Sequence, residues 1–264
     1  MIELLEYEFM QRALLGGLLI GVTSSLIGVF LVLKRLSLLG DSFAHASFGG
    51  IALGFVLGWN PLLTAFGFVS IASLGIDRLI NKIKLYGESA IALLLSFGMA
   101  LALILIGAAD KINANIFSYL FGSLLTISYQ DILFASIILL LVLIFYYFNY
   151  KKLFYSAFNR EIALIRNKNT KIIDKIFILL CAITIVISIR AVGILLISAL
   201  LVIPSLIGLR LSNSLKQTLI ISSCASVLGI YLGIFISYYF DLPTGGTIVM
   251  SLLGLFLVSI FIKK

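Results

Sequence analysis

The sequence is poor in charge. Its 264 residues hold 19 Lys and Arg and 11 Asp and Glu, and only 11% of the side chains are charged. An ordinary soluble domain carries about 25%. Apolar residues reach 62%, a share that a water-soluble globule of this length cannot bury, so a soluble enzyme is excluded. Cysteine is scarce: Cys181 and Cys224 each sit inside an apolar run, which excludes a disulfide framework or zinc-finger spacing and predicts two small buried hydrophobes. The single histidine, His45, and the lack of any G-x-S-x-G elbow argue against hydrolase chemistry. No G-x-x-x-x-G-K-[ST] occurs and no Lys follows a Gly, so the chain cannot cradle ATP by itself in that way. There is no repeat of domain-building period and no low-complexity linker; residues 1–264 read as one domain.

Long apolar runs are what the sequence does have. Nine stretches run roughly over 13–33, 37–58, 62–76, 89–109, 131–149, 176–189, 191–209, 217–239 and 245–262. A membrane-spanning helix uses about 20 residues. The fold class is therefore all-α, a polytopic membrane protein with eight or nine transmembrane helices, eight being the count if a short third or sixth stretch fails to span.

The net charge of +8 excludes little by itself, but basic residues between apolar runs mark topology rather than nucleic-acid binding. With nine spans and the N-terminus outside, only Arg12, Lys111 and Arg190 of the 19 basic residues fall outside, leaving 16 within. That predicts a cytoplasmic C-terminus. Glu3, Glu6 and Glu8 carry the wrong charge for a signal peptide, so the first stretch is expected to be a retained span.

Two segments do not span. Residues 112–127 predict an interfacial or re-entrant helix on the outer side, with a plain loop as the alternative. Residues 151–175 hold seven basic residues on the inner side. Their centre, Asn159 to Arg166, has a candidate Asn cap and helical apolar spacing. It is either a basic loop that anchors topology or a short helix that docks a cytoplasmic partner.

A charged group inside a membrane costs at least about 2.5–3.5 kcal/mol on insertion scales. The second stretch contains Asp41 and His45, with Ser37 one turn earlier, and this spacing predicts one polar stripe on a helix. With Arg35 at the inner boundary, His45 lies about 15 Å deep, near the midplane. Gly50, Gly54 and Gly58 form a small-xxx-small series on the opposite side, suited to close helix packing. Two readings of Asp41 and His45 stand: a buried hydrogen bond, or two donors for a borderline divalent cation such as zinc or manganese. Two donors are too few for a tetrahedral site, so the second reading predicts a homodimer with both stripes facing a two-fold axis. Pro204 predicts a kink or break in the seventh stretch. Glu88, Asp110, Asp131 and Asp241, near span ends, read as solvated.

At these residues the sequence resembles the integral membrane permease of bacterial zinc/manganese ABC importers. The run Leu31-Val32-Leu33-Lys34-Arg35-Leu36-Ser37-Leu38-Leu39-Gly40-Asp41-Ser42-Phe43-Ala44-His45-Ala46-Ser47 is close to that family's basic pair, Gly-Asp and His-Ala signature. Tyr119 to Leu125, Val192 to Pro204 and Asp241 to Gly246 extend the resemblance along the chain. It implies a type II ABC-importer-like permease in the bacterial plasma membrane (the inner membrane if Gram-negative) that is not itself an enzyme. Expected partners are a second copy of itself, a cytoplasmic ATP-binding subunit and an extracytoplasmic metal-binding protein, with ATP used only through the ATPase. The cargo expected is zinc, on the Ala44-His45-Ala46-Ser47 wording; manganese or iron, or an ion-coupled secondary metal transporter, are the alternatives. No permanently bound cofactor is expected. Asp41 and His45 are implied as metal contacts, and Asn159, Glu161 and Ala163 as the ATPase-docking segment, although Asn159 and Asn167 depart from the family's pattern.

Overall fold

The computed structural model describes residues 6–108, 115–158 and 170–262. Among the described residues ten α-helices follow one another: α1 Glu8–Leu33, α2 Leu39–Leu57, α3 Pro61–Asn81, α4 Gly87–Ala108, α5 Asn115–Phe121, α6 Tyr129–Phe158, α7 Thr170–Val192, α8 Ile197–Leu211, α9 Leu215–Phe240 and α10 Thr244–Ile262. No strand occurs among the described residues. Lipid offers backbone amides no hydrogen bonds, and a helix satisfies them all within itself.

Among the described residues seven helices are long and apolar enough to cross a membrane: α1, α3, α4, α6, α7, α9 and α10. The other two long ones depart for separate reasons. Helix α2 is diluted by Asp41, His45 and several serines and glycines, and α8 has only 15 residues, about 22 Å of rise. Several helices outrun their apolar stretches. The stretch 131–149 belongs to a 30-residue helix, and 176–189 to one of 23 residues. Pro204 is buried inside α8 and does not break it. The following Ser205 hydroxyl donates to the Leu201 carbonyl at 2.7 Å.

Helix starts follow local chemistry. Asn60 caps α3 by accepting from Leu62 and Leu63 amides at 3.0 and 3.3 Å, with Pro61 next to it. Ser214 caps α9 through Gln217 N, while the Gln217 side chain accepts from Asn213 N, a variant of the capping box. The segment expected at 112–127 contains α5 and a single 3₁₀ turn, Leu124–Thr126. It hangs on the α7–α8 connection, with Ser123 N donating to Arg190 O at 3.0 Å and Ile194 N to Tyr119 O at 3.1 Å.

Phe30, Phe43, Ile51 and Phe177 are fully buried in the main core. The buried Tyr146 packs edge-on to Phe30 and donates its hydroxyl to the Leu26 carbonyl at 2.8 Å. Small residues set the closest approaches, as expected where lipid removes the hydrophobic drive between helices. Gly28 faces the Leu201 carbonyl, Gly208 faces Ser222, and Gly233 lies on Ile248.

Candidate metal site

Helix α2 packs chiefly against α4 and α3 and also touches α7 and α8. Its contact surfaces are built of small residues. A Cβ on Gly50 would come 2.8 Å from Ala65 Cα and 2.9 Å from Phe68 Cβ, and one on Gly54 would come 2.8 Å from Pro61 Cα, so both glycines face α3. Gly58 does something else: it ends α2 in the left-handed conformation, φ +67°, with nothing within 4 Å of a Cβ. Gly40 lies against Leu201 and Ser198 of α8, and Gly98 of α4 lies directly behind His45, where a Cβ would sit 2.7 Å from the His45 carbonyl carbon. The Ser42 hydroxyl donates to the Ile91 carbonyl at 2.6 Å and ties α2 to α4 again.

The result is a helix enclosed almost completely. From Leu39 to Ala52 every residue is buried except two, Asp41 and His45. They lie one turn apart and are half-buried, on a face that the described helices leave partly open. His45 Nδ1 is itself shielded from solvent and has no hydrogen-bond partner among the described residues. A buried imidazole nitrogen without a partner carries an unmet desolvation cost; a cation or a partner group seated beside Asp41 would meet it. Among the described residues no third His, Cys, Asp or Glu joins them, so one chain provides two donors.

The structure alters the expected stripe in two ways. Ser37 precedes α2, in the turn that joins it to α1. Because α2 starts at Leu39, His45 stands about 9 Å along a helix of about 28 Å, about 5 Å short of its middle on the Lys34 side. Asn159, Glu161 and Ala163 lie outside the described residues.

Other charged groups prove to be paired. Asp131 is not a solvated boundary residue: it is 9% exposed, accepts two hydrogen bonds from Arg190 Nη1 at 2.6 and 2.7 Å, and accepts from the Ser128 amide and hydroxyl. Glu88 and Asp241 are exposed, as expected; Asp110 lies outside the described residues. Lys34, expected in a loop, has a side chain only 9% exposed, bonded to Asp174 at 2.6 Å. Cys181 is buried as expected, whereas Cys224 is exposed on α9. Sequence spacing could not reveal these ion pairs, since their partners lie 59 and 140 residues apart. The only signal was a charge adjoining an apolar run.

Over residues 6–263 the sequence matches the ABC 3 transport family. It is 30% identical to the manganese transport system membrane protein MntC of Listeria monocytogenes, covering 97% of this chain and 91% of that protein. It is 31% identical to the manganese import system permease protein ScaB of Streptococcus parasanguinis, again over 97% and 91%. Among solved structures it resembles PsaBC from Streptococcus pneumoniae in complex with Fab, with a TM-score of 0.87 and 29% sequence identity over 99% of this chain and 95% of that one.

Proposed function

The chain belongs to the ABC 3 transport family, and from that premise we propose that it is the membrane permease of an ATP-driven importer for a divalent transition metal, manganese before zinc. The observation that carries the reading is the face of α2 on which Asp41 and His45 alone stay unburied between Leu39 and Ala52. A carboxylate and an imidazole on otherwise apolar, enclosed helix are functional groups by default, because the membrane penalises them. Both manganese and zinc accept this donor pair. The preference for zinc drawn from the Ala44-His45-Ala46-Ser47 wording gives way to manganese, because near-full-length relatives carry manganese transport in their names.

Two donors hold a metal only weakly. A second copy facing the first across a two-fold axis adds another Asp41 and His45, making four protein donors with room for water. The site then stays loose enough to release its cargo, which conduction requires. The chain lacks a phosphate-cradling loop, so ATP binding belongs to a cytoplasmic partner. Nucleotide would shift the dimer between outward- and inward-open states by binding one more tightly. An extracytoplasmic metal-binding protein would deliver the cargo, and the 151–175 loop, Asn159, Glu161 and Ala163 included, is where the ATPase would dock.

The test is ATP-driven uptake in vesicles carrying the whole transporter, with manganese and zinc each supplied alone and in competition. Asp41→Ala and His45→Ala are each expected to cut manganese uptake about a hundred-fold or more while ATPase subunits still co-purify, the scale expected when a metal ligand is lost. Uptake that survives both substitutions would remove Asp41 and His45 from the path. Metal movement by the purified chain alone, driven by an ion gradient, would replace the ATP-driven reading with a secondary transporter.

A further inference from the structure

We propose that the buried Lys34–Asp174–Ser156 cluster couples α2 to the ATPase, carrying nucleotide-driven movement of the 151–175 segment to the helix that bears Asp41 and His45; the proposal rests on the ATP-driven importer reading. Lys34 caps the C-terminus of α1. Its ammonium donates to Asp174 Oδ1 at 2.6 Å and to Ser156 Oγ at 2.8 Å, and the Ser156 hydroxyl donates to the same Asp174 oxygen at 2.9 Å. Phe177 lies beneath, its ring centre 5.6 Å from Lys34 Nζ. Ser156 is near the end of α6 and Asp174 in the first turns of α7. These two helices enter and leave the segment where the ATPase would dock, so Lys34 holds both flanks of that segment at one point.

On the other side of Lys34 the chain turns directly into α2. Arg35 takes the left-handed conformation, φ +58°, Arg35 N donates to Val32 O, Leu36 N to Leu31 O and Leu39 N to Leu36 O. A turn so fully hydrogen-bonded moves as a body with the start of α2, and carries Lys34, seven residues before Asp41, with it. A second tie runs parallel. Lys175, beside Asp174, meets Asp77 of α3 at 3.4 Å, and α3 is the helix on which Gly50 and Gly54 pack. The first turns of α7 therefore hold α2 through its entry turn and through its flanking helix.

Packing between α7 and both α2 and α3 accompanies this link but leaves room beside it. A cavity of about 250 Å³ adjoins the cluster, lined among others by Lys34, Leu36, Asp77, Gly87 and Asp174. The cavity is partly open at the surface, and it leaves room for the helices to shift while the charged contacts keep them in step. A buried ion pair adds little net stability over apolar packing but fixes geometry. That combination suits a linkage better than a girder.

The experiment uses the full transporter, permease with its ATPase, in proteoliposomes. Variants are Asp174→Asn, Lys34→Met and the exchanged pair Lys34→Asp with Asp174→Lys. Two quantities are read: metal moved per ATP hydrolysed, and hydrogen exchange in residues 39–57 with and without ATP plus vanadate. Asp174→Asn is expected to lower metal moved per ATP about ten-fold, a typical coupling energy, with ATP hydrolysis retained and the nucleotide response of α2 lost. The exchanged pair should recover part of both. Unchanged coupling and an intact α2 response would overturn the proposal, as would uptake and hydrolysis falling together in constant ratio. Should Lys34→Met not accumulate, Asp174→Asn, which keeps shape and an acceptor, carries the test. The exchange readout needs no metal, so a native complex that moves none would refute the cargo reading while the coupling is still decided.

Discussion

A methyl group added at Gly98 would land 2.6 Å from the Ala46 amide nitrogen and 2.7 Å from Ala46 Cα, both backbone atoms that cannot swing away. The same methyl at Gly75 meets nothing within 4 Å. Gly98→Ala should push α4 off α2 beside His45 and cost about 1–3 kcal/mol, the usual scale for overpacking. Gly75→Ala should be neutral or slightly stabilising, because alanine favours the helix. Thermal unfolding of the two purified variants in detergent checks this, and equal midpoints would mean that the α2–α4 contact yields. The pair also shows what residue-scale reading can reach. Asp41 and His45 announce themselves because a charge amid apolar residues needs a reason. Gly98 does not, because a glycine's importance lies in what crosses it, and its neighbour here is 52 positions away in sequence. Gly58 has the right spacing for the packing series and yet serves as a helix end.

At the scale of elements, apolar stretches locate the helices better than they bound them. Hydropathy reports where side chains meet lipid, but helical hydrogen bonding continues into the interface until a cap or turn stops it. The 151–158 end of α6 and the 170–175 start of α7 are charged or polar enough to fall outside any apolar window, yet both are helical. The α5 segment was legible only as a choice between helix and loop, because its placement depends on a distant partner. Gly122, φ +63°, and Gly193, φ +87°, cross so closely that a Cβ on either would strike the other segment's backbone. Gly193→Ala should be doubly penalised, by the left-handed conformation and by the Leu120 carbonyl in its way. The expected outcome is faster hydrogen exchange in residues 115–127, where Ile194 N and Ser123 N hold the segment, with α2 unaffected. Exchange spread evenly over the molecule would instead assign that crossing to the global fold.

For the whole molecule, the paired charges mark two levels. Lys34, Asp77, Asp174 and Lys175 lie at one end of the bundle, and Asp131, Arg190, Glu8 and Tyr129 at the other, where Tyr129 OH donates to Glu8 at 2.7 Å. Along α7, Asp174 and Arg190 are 16 residues apart, about 24 Å, a little less than the hydrocarbon thickness of about 30 Å. This bears on the orientation drawn from charge. Arg12 and Arg190 are exceptions to the positive-inside count, but Arg190 is neutralised by Asp131, and Arg12 lies 5.2 Å from the centre of the Tyr129 ring, next to Glu8. The bias counts Lys and Arg rather than net charge, so the orientation rests on the 16 of 19 basic residues that fall on one side. Nine crossings with that orientation would place Tyr7 outside and Ile262 inside, with Trp59 and Lys82 on opposite sides of α3. All four are exposed. Single cysteines at these positions, in a chain with Cys181 and Cys224 replaced, can be probed by a membrane-impermeant maleimide on intact cells. Labelling at Tyr7→Cys and Trp59→Cys, with Lys82→Cys and Ile262→Cys protected until the cells are opened, is the expected pattern. The mirror pattern would invert the permease and put the Lys34 cluster away from any cytoplasmic ATPase. Tyr7→Cys and Ile262→Cys labelled from the same side would make the number of crossings even, and one of α2 and α8, the two helices short of apolar length, would have to turn back within the membrane.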